Sequence, residues 1–276
     1  MKIKKQGSSE TICETTFCFK DYIHHLPQHK KDVNAEFLIY FIGFFEGDGS
    51  LLINHKRQSV EFTLHRHSKD IAFLHKLRTT LGYGKIFSAH TRDLSTFFIS
   101  NRQNLLRIIH LLNGNICSNH RRQQFKLFLN VYNKKWNTKI PFKDYGPSVG
   151  LRNSWLSGFT DAEGCFRLSI RKQNVQMIYS ITQKEEYIIE EIKNLFVKKP
   201  GTNMRFDPSW EGYEFYVGNR KTRVELIRYF QRYPLKTRKR IAFLIWRNAH
   251  NLVEKGSHKT EPGIKTLKNL QDKINK

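Results

Sequence analysis

The stretch Phe41-Ile42-Gly43-Phe44-Phe45-Glu46-Gly47-Asp48-Gly49 returns in altered letters as Leu156-Ser157-Gly158-Phe159-Thr160-Asp161-Ala162-Glu163-Gly164. Both are apolar, helix-like runs with small residues four apart, and both close on acid, small, acid, glycine. Small residues at that spacing form one smooth stripe, along which two helix backbones can approach closely. A glycine inside a helix costs about 1 kcal/mol against alanine, so its recurrence at matched positions points to a helix–helix seam. That seam is expected to bring Asp48 and Glu163 together. A carboxylate at the C-terminal end of a helix suits a divalent cation, because unpaired carbonyls and the negative dipole end favour positive charge there. Two such ends around a shared metal cluster would suit the cutting of phosphodiesters.

Self-comparison sets the architecture. Glu163 follows Asp48 by 115 positions (163 − 48), and Asn219 in Tyr216-Val217-Gly218-Asn219-Arg220 follows Asn101 in Phe98-Ile99-Ser100-Asn101-Arg102 by 118 (219 − 101). Periodicity predicts, in each copy, a helix, two strands, a helix, two strands and then two helices. The first helices are expected to start after the N-caps Asn34 and Asn153. Strands are expected over Ser50–Lys56 and Val60–His65, then over Cys165–Arg171 and Val175–Thr182. Later helices are expected over Ile71–Leu81, Arg102–Leu112 and Arg121–Tyr132, and over Glu185–Phe196, Lys221–Phe230 and Thr237–Asn251. Gly82, Gly84 and Pro200-Gly201 mark turns into the second strand pairs. The organisation reads as a lead-in over 1–33, disordered or partly ordered, a first repeat over 34–136 and a linker over 137–152. A second repeat covers 153–254 and a tail with a short helix 255–276. The fold class is α+β, two pseudo-symmetric αββαββα repeats, each with a curved antiparallel sheet, packed through the two signature helices.

Directly after each acid the pattern switches to period two. Ser50, Leu52, Asn54, Lys56 and Gln58 alternate with Leu51 and Ile53, and Cys165, Arg167, Ser169, Arg171 and Gln173 alternate with Phe166, Leu168 and Ile170. One face of each strand is apolar and the other mostly polar and basic. Such a face can enter a major groove, where Arg reads guanine and Asn or Gln reads adenine. Leu52 and Cys165 depart from the polar pattern. On the second strands the candidates are Glu61, Thr63 and His65, with Gln176, Ser180 and Thr182; Ile178 interrupts this set.

The chain has 276 residues, 48 Lys+Arg against 24 Asp+Glu, a net charge of +24 and a pI near 10.0. An acidic polymer is the natural partner for that imbalance. If about eight phosphates were neutralised, log affinity would fall with log salt at a slope of about −7. No apolar run approaches the ~20 residues of a membrane span. Cys13, Cys18, Cys117 and Cys165 fit no paired metal spacing, which suits reduced thiols. Residues 1–33 lack the pattern of a transit peptide.

The paired nonapeptides resemble the signature of the LAGLIDADG homing endonucleases in their single-chain, two-motif form, and the resemblance spans residues 34–270. It implies a monomeric double-strand DNA endonuclease with internal pseudo-two-fold symmetry, cutting a long asymmetric site and leaving 3′ overhangs. It implies Mg²⁺, with Mn²⁺ or Ca²⁺ able to substitute for binding, held by Asp48 and Glu163 with the backbone carbonyls of Gly47 and Ala162. Glu46 and Asp161 fall on another side of their helices and are assigned to structural hydrogen bonds. Ile181-Thr182-Gln183-Lys184 resembles a segment whose glutamine orients metal-bound water, which marks Gln183; its first-half counterpart is either His65 or Arg66. Pro234-Leu235-Lys236-Thr237-Arg238-Lys239 resembles a motif that sets a basic residue near the scissile phosphate, Arg238 or Lys239, with His120 or Arg121 as first-half stand-ins. The resemblance leaves open an intron maturase acting on intron RNA and a catalytically silent DNA-binding protein. It places the protein's origin in a mitochondrion, with a plastid next.

Overall fold

The computed structural model describes residues 2–4, 16–89, 93–172, 174–196 and 202–274. In chain order the elements are β1 (Lys2–Lys4), α1 (Lys20–His24), β2 (Asp32–Asn34), α2 (Ala35–Asp48), β3 (Gly49–Asn54), β4 (Ser59–His67), α3 (Ile71–Leu81), β5 (Lys85–Ala89), β6 (Leu94–Ile99), α4 (Arg102–Leu112) and α5 (Asn119–Trp136). They continue with α6 (Trp155–Glu163), β7 (Gly164–Arg171), β8 (Asn174–Gln183), α7 (Glu186–Asn194), β9 (Thr202–Asp207), β10 (Gly212–Val217), α8 (Arg220–Arg232), α9 (Lys239–Glu254) and α10 (Glu261–Ile274). The chain divides into two compact units, Met1–Ala162 and Glu163–Lys276. Cys13, Gln173 and the Pro200-Gly201 turn lie outside the described residues.

The expected α+β repeat is present twice. Each unit holds a four-stranded antiparallel sheet, ordered β3-β4-β6-β5 in the first and β7-β8-β10-β9 in the second. The order is the same in both, first-second-fourth-third, as duplication of one unit requires. Each repeat closes on a helix pair, α4 with α5 and α8 with α9.

In the first unit, α2 is buried on every side from Phe37 to Glu46. A helix apolar all round has no solvent face and must be enclosed. Asn34 caps it by accepting from Phe37 N at 3.1 Å, and Asn153 accepts from Trp155 N at 3.0 Å at the start of α6. The matched glycines Gly43 and Gly158 meet the opposite backbone: a Cβ on Gly43 would lie 2.1 Å from the Trp155 carbonyl oxygen, and one on Gly158 would lie 1.9 Å from that of Tyr40. This is the expected seam, within the first unit. It explains why the second signature helix clusters with the first half up to Ala162.

The acids two residues before the motif ends hold this packing together. Glu46, 1% exposed, accepts from Cys117 N (3.0 Å), Ser118 N (2.6 Å) and Trp155 Nε1 (2.8 Å). Asp161 accepts from the Tyr40 hydroxyl at 2.5 Å. A buried carboxylate keeps its charge only when its oxygens are supplied with donors in this way.

Part of the lead-in packs rather than trailing away. Phe19, Tyr22, Ile23 and Leu26 are all buried, and Arg107 of α4 donates Nε to the His25 carbonyl at 2.9 Å. Their spacing is that of one helix face. Gly82 ends α3 at φ +82°, a conformation that favours glycine. In the second unit Phe166, Tyr179, Phe230, Phe243 and Trp246 form an aromatic core beneath the sheet. The tail helix α10 buries Leu267 and supplies the Gln271 side-chain carbonyl to Ile170 N at 2.9 Å. Among the described residues no disulfide joins Cys18, Cys117 and Cys165, and no helix is long and apolar enough to cross a membrane.

Candidate functional site

Asp48 is the last residue of α2, and Gly49 turns the chain straight into β3 while its N–H returns to the Phe45 carbonyl. The Asp48 side chain is 28% exposed. Arg66 of β4 reaches it, with one guanidinium nitrogen on Asp48 Oδ2 and the other on Asp70 Oδ2 at 2.9 Å. The guanidinium lies over the Phe44 ring, 5.3 Å from its centroid. Burial pulls the Arg66 pKa down, and Asp48 and Asp70 more than restore it, so it stands above its usual value. Arg121 of α5 donates Nε to the Glu46 carbonyl at 2.8 Å and a terminal nitrogen to the Gly47 carbonyl at 2.7 Å. The negative end of α2 is thus met by cations, as its unpaired carbonyls demand.

The Gly47 carbonyl, implied as a metal ligand, accepts from Arg121 and keeps its second lone pair for an ion. Arg121, one of the two first-half stand-ins, lies at this helix end.

In the second unit Glu163 leads directly into β7, and the Gln183 amide nitrogen lies 3.5 Å from Glu163 Oε1. Gln183 Oε1 accepts from Lys184 N at 2.8 Å. Ladder register settles which first-half residue corresponds to Gln183. Gly49 pairs with Leu64, and Gly164 pairs with Ile181. Two positions on, Arg66 takes the place of Gln183. Arg238 forms the N-cap of α9, and Lys239 begins the helix, its N–H donating to Thr237 Oγ1 at 3.2 Å. Ala162 is half-buried at the end of α6.

The expected polar faces exist, with local corrections. On the first sheet Ser50 is half-buried, while Asn54, Lys56 and His65 are exposed. Asn54 Oδ1 accepts from Arg57 N at 3.0 Å, and Gln58, at φ +44°, donates to the His55 carbonyl, so both serve the hairpin turn. His65 Nδ1 is 2.9 Å from Thr96 Oγ1. Thr63 is on the right face but only 3% exposed, because Ser50 and Phe98 flank it on the neighbouring strands. Its hydroxyl has no hydrogen-bond partner among the described residues.

On the second sheet Ser169, Arg171 and Gln176 line one cleft of about 370 Å³, and Thr182 is half-buried. Ser180 is 3% exposed, with the Arg167 guanidinium 3.3 Å from its hydroxyl. Thr63 and Ser180 therefore belong to the floors of their sheets and are corrected as direct contacts. Arg167 is held by Glu214 at 2.6 Å, which also takes Arg205 at 2.8 Å. Sequence reading missed Glu214 and Arg205, and on the first sheet the exposed Phe87; the alternation in Gly212–Val217, Thr202–Asp207 and Lys85–Ala89 was the available signal.

The donors fit a hard divalent ion in kind. Among the described residues no group of three or more Asp, Glu, His or Cys side chains could hold a metal. A single carboxylate per helix end leaves most coordination to carbonyls, waters and substrate oxygens, the pattern suited to Mg²⁺.

The comparisons agree with this geometry. The family model for LAGLIDADG endonuclease matches residues 41–132 and 156–250. The chain belongs to the LAGLIDADG endonuclease family. It is 35% identical over 249 residues to "Probable intron-encoded endonuclease 4" of Neurospora crassa, covering 86% of this chain and 44% of that protein. It is 28% identical over 270 residues to the "Uncharacterized cox1 intron-2 37.2 kDa protein" of Schizosaccharomyces pombe, covering 95% and 80%. It is 27% identical over 220 residues to "Intron-encoded RNA maturase bI4" of Saccharomyces cerevisiae, covering 76% and 31%. The chain thus spans less than half the length of the Neurospora relative. Among solved structures, the I-LtrWI LAGLIDADG homing endonuclease bound to target DNA shares the fold, with TM-score 0.75, 23% identity, and 87% of this chain and 98% of that one covered.

Proposed function

We propose that this protein is a single-chain, site-specific DNA endonuclease that hydrolyses both strands of a long asymmetric site and leaves 3′ overhangs. The observation that carries the reading is the repeated joint of acid-ended helix and polar-faced strand: Asp48 into Gly49 of β3, and Glu163 into Gly164 of β7. In this reading Asp48 and Glu163 hold Mg²⁺, with Mn²⁺ or Ca²⁺ able to take its place for binding, assisted by the carbonyls of Ala162 and, through its remaining lone pair, Gly47. A divalent ion held there would supply a water of lowered pKa and offset charge on the leaving oxygen. Gln183 orients the attacking water through its amide. Arg238 and Lys239 hold the phosphate whose charge grows in the transition state. Ser50, Asn54, Lys56, Gln58 and His65 face one half-site; Arg167, Ser169, Arg171 and Thr182 face the other. Their differing chemistry supports unlike half-sites.

Intron-encoded relatives, one of them from cox1, support an organellar and mitochondrial origin. The likeness to bI4 favours RNA maturation as a second reading. Both motif acids are intact, which a pure binder does not need. The test is Mg²⁺-dependent cleavage of intronless DNA spanning the flanks of the reading frame. Asp48→Asn and Glu163→Gln should bind that DNA without cutting it. Cleavage by Glu163→Gln at the wild-type rate overturns the reading, and tight intron-RNA binding with no DNA cleavage favours the maturase.

A further inference from the structure

Strand pairing puts two phenylalanine rings on the polar face of the first sheet. Across the ladders Thr63 stands opposite Phe98, which stands opposite Lys85; His65 stands opposite Thr96, which stands opposite Phe87. Opposed residues share a face, and the 2.9 Å approach of His65 Nδ1 to Thr96 Oγ1 confirms it here. Phe87 therefore projects from the same face as Ser50 and His65, on the edge strand β5. It is 53% exposed, and its ring meets that of Phe98 at 5.9 Å and 65°. The other face of the sheet takes Phe62, Leu64, Phe97 and Ile99 into the core, so Phe87 contributes nothing there. A lone exposed apolar residue asks for no explanation. This one is steadied by a second ring on a face otherwise mostly polar, with the exposed Lys85 two residues before it.

We propose that Phe87 reads thymine in one half-site by packing its ring on the 5-methyl group of the base in the major groove. The inference rests on the DNA-reading role proposed above for this sheet. A phenyl ring has neither donor nor acceptor, so the hydrogen-bonding patterns of the base edges are closed to it. Stacking in a duplex hides the base faces and leaves only the edges. Of the four edges in the major groove, thymine's alone carries an apolar group. Lys85 suits a phosphate beside that base, and the net charge of +24 makes a polyanion the natural occupant of the face. Burying one methyl against the ring is worth about a three- to fivefold change in affinity. Phe87 is thus a specificity determinant that works without a hydrogen bond.

The test is binding of the full-length chain, in EDTA, to the intronless duplex spanning the flanks of the reading frame. Fluorescence anisotropy reads the affinity as each thymine in turn is replaced by deoxyuridine, which removes the methyl and nothing else. Wild type should lose about three- to fivefold at one thymine or two adjacent ones, and Phe87→Ala less than about 1.5-fold at the same positions. Phe87→Leu keeps an apolar side chain and should keep part of the loss, which separates the methyl contact from a change of fold. If no thymine shows a methyl effect that depends on Phe87, while the duplex is still preferred over unrelated DNA, the role of Phe87 is overturned and that of the sheet stands. Equal weakening of the thymine and deoxyuridine duplexes by Phe87→Ala has the same consequence. A wild-type chain that does not distinguish this duplex from unrelated DNA overturns the reading of the sheet, and this inference with it.

Discussion

Gly158→Ala puts the helix seam to a quantitative test. Its Cβ would sit 1.9 Å from the Tyr40 carbonyl oxygen, 2.8 Å from the Tyr40 carbonyl carbon and 2.8 Å from Phe44 N. All three are backbone atoms of α2, so no side chain can swing aside, and α6 must retreat from its neighbour. Overpacking of this kind costs about 1–3 kcal/mol, with rigid backbone obstruction at the upper end. Retreat also strains the Tyr40–Asp161 hydrogen bond, worth about 1 kcal/mol. Alanine returns about 1 kcal/mol through its better helix propensity. The net expectation is a loss of about 2–3 kcal/mol, or a fall in melting temperature of roughly 4–12 °C. Urea denaturation and thermal melts of the intact chain measure it. Gly150→Ala is the control, since nothing lies within 4 Å of its Cβ, and it should stay within about 0.5 kcal/mol of wild type. A Gly158→Ala protein as stable as wild type, or more so, would refute the close approach and the reason given for the small residues.

Three further outcomes follow from the same geometry. Glu46→Gln replaces a buried charged acceptor of three N–H groups with an amide that turns a donor toward one of them. It should cost about 2–3 kcal/mol in urea denaturation, and an unchanged midpoint would show that the charge is not needed. His110 stacks on His25 with Asp21 and Lys143 nearby, and burial first, then His25, push its pKa down from 6.5 to about 4. Its contribution to stability is therefore complete above about pH 6.5 and drains away as pH falls toward 4, and His110→Phe should flatten that stretch of the stability–pH curve. Identical curves for the two proteins would contradict the assignment. Arg171→Ala should cost about 1–3 kcal/mol of DNA binding at a single base position, read by binding to substituted duplexes, whereas an equal loss on every sequence would make it a phosphate contact.

Periodicity carried much of the fold. The expected helices Ile71–Leu81 and Arg102–Leu112 match α3 and α4 to the residue, because clean 3.6-residue stripes end on glycine or asparagine. The stripe of Phe19, Tyr22, Ile23 and Leu26 was equally legible but lay among Lys, Cys and His residues that masked it. Alternation gave the polar faces without their depth: Thr63 and Ser180 are covered by neighbouring strands whose order no local pattern reports. The Glu214 clamp on Arg167 and Arg205 joins three strands and is invisible in any one of them. Arg66 stayed ambiguous with His65 because the hairpins differ in length. Asn54 pairs with Ser59 across a longer turn, while Arg171 pairs with Asn174, so only counting along the ladders aligns Arg66 with Gln183.

The most direct examination of the metal roles is anomalous scattering from crystals of the protein–DNA complex at saturating Mn²⁺. Density is expected roughly 2.0–2.4 Å from a carboxylate oxygen of Asp48 and from one of Glu163, as hard-cation coordination requires. Manganese bound elsewhere, with both carboxylates bare, would contradict the account.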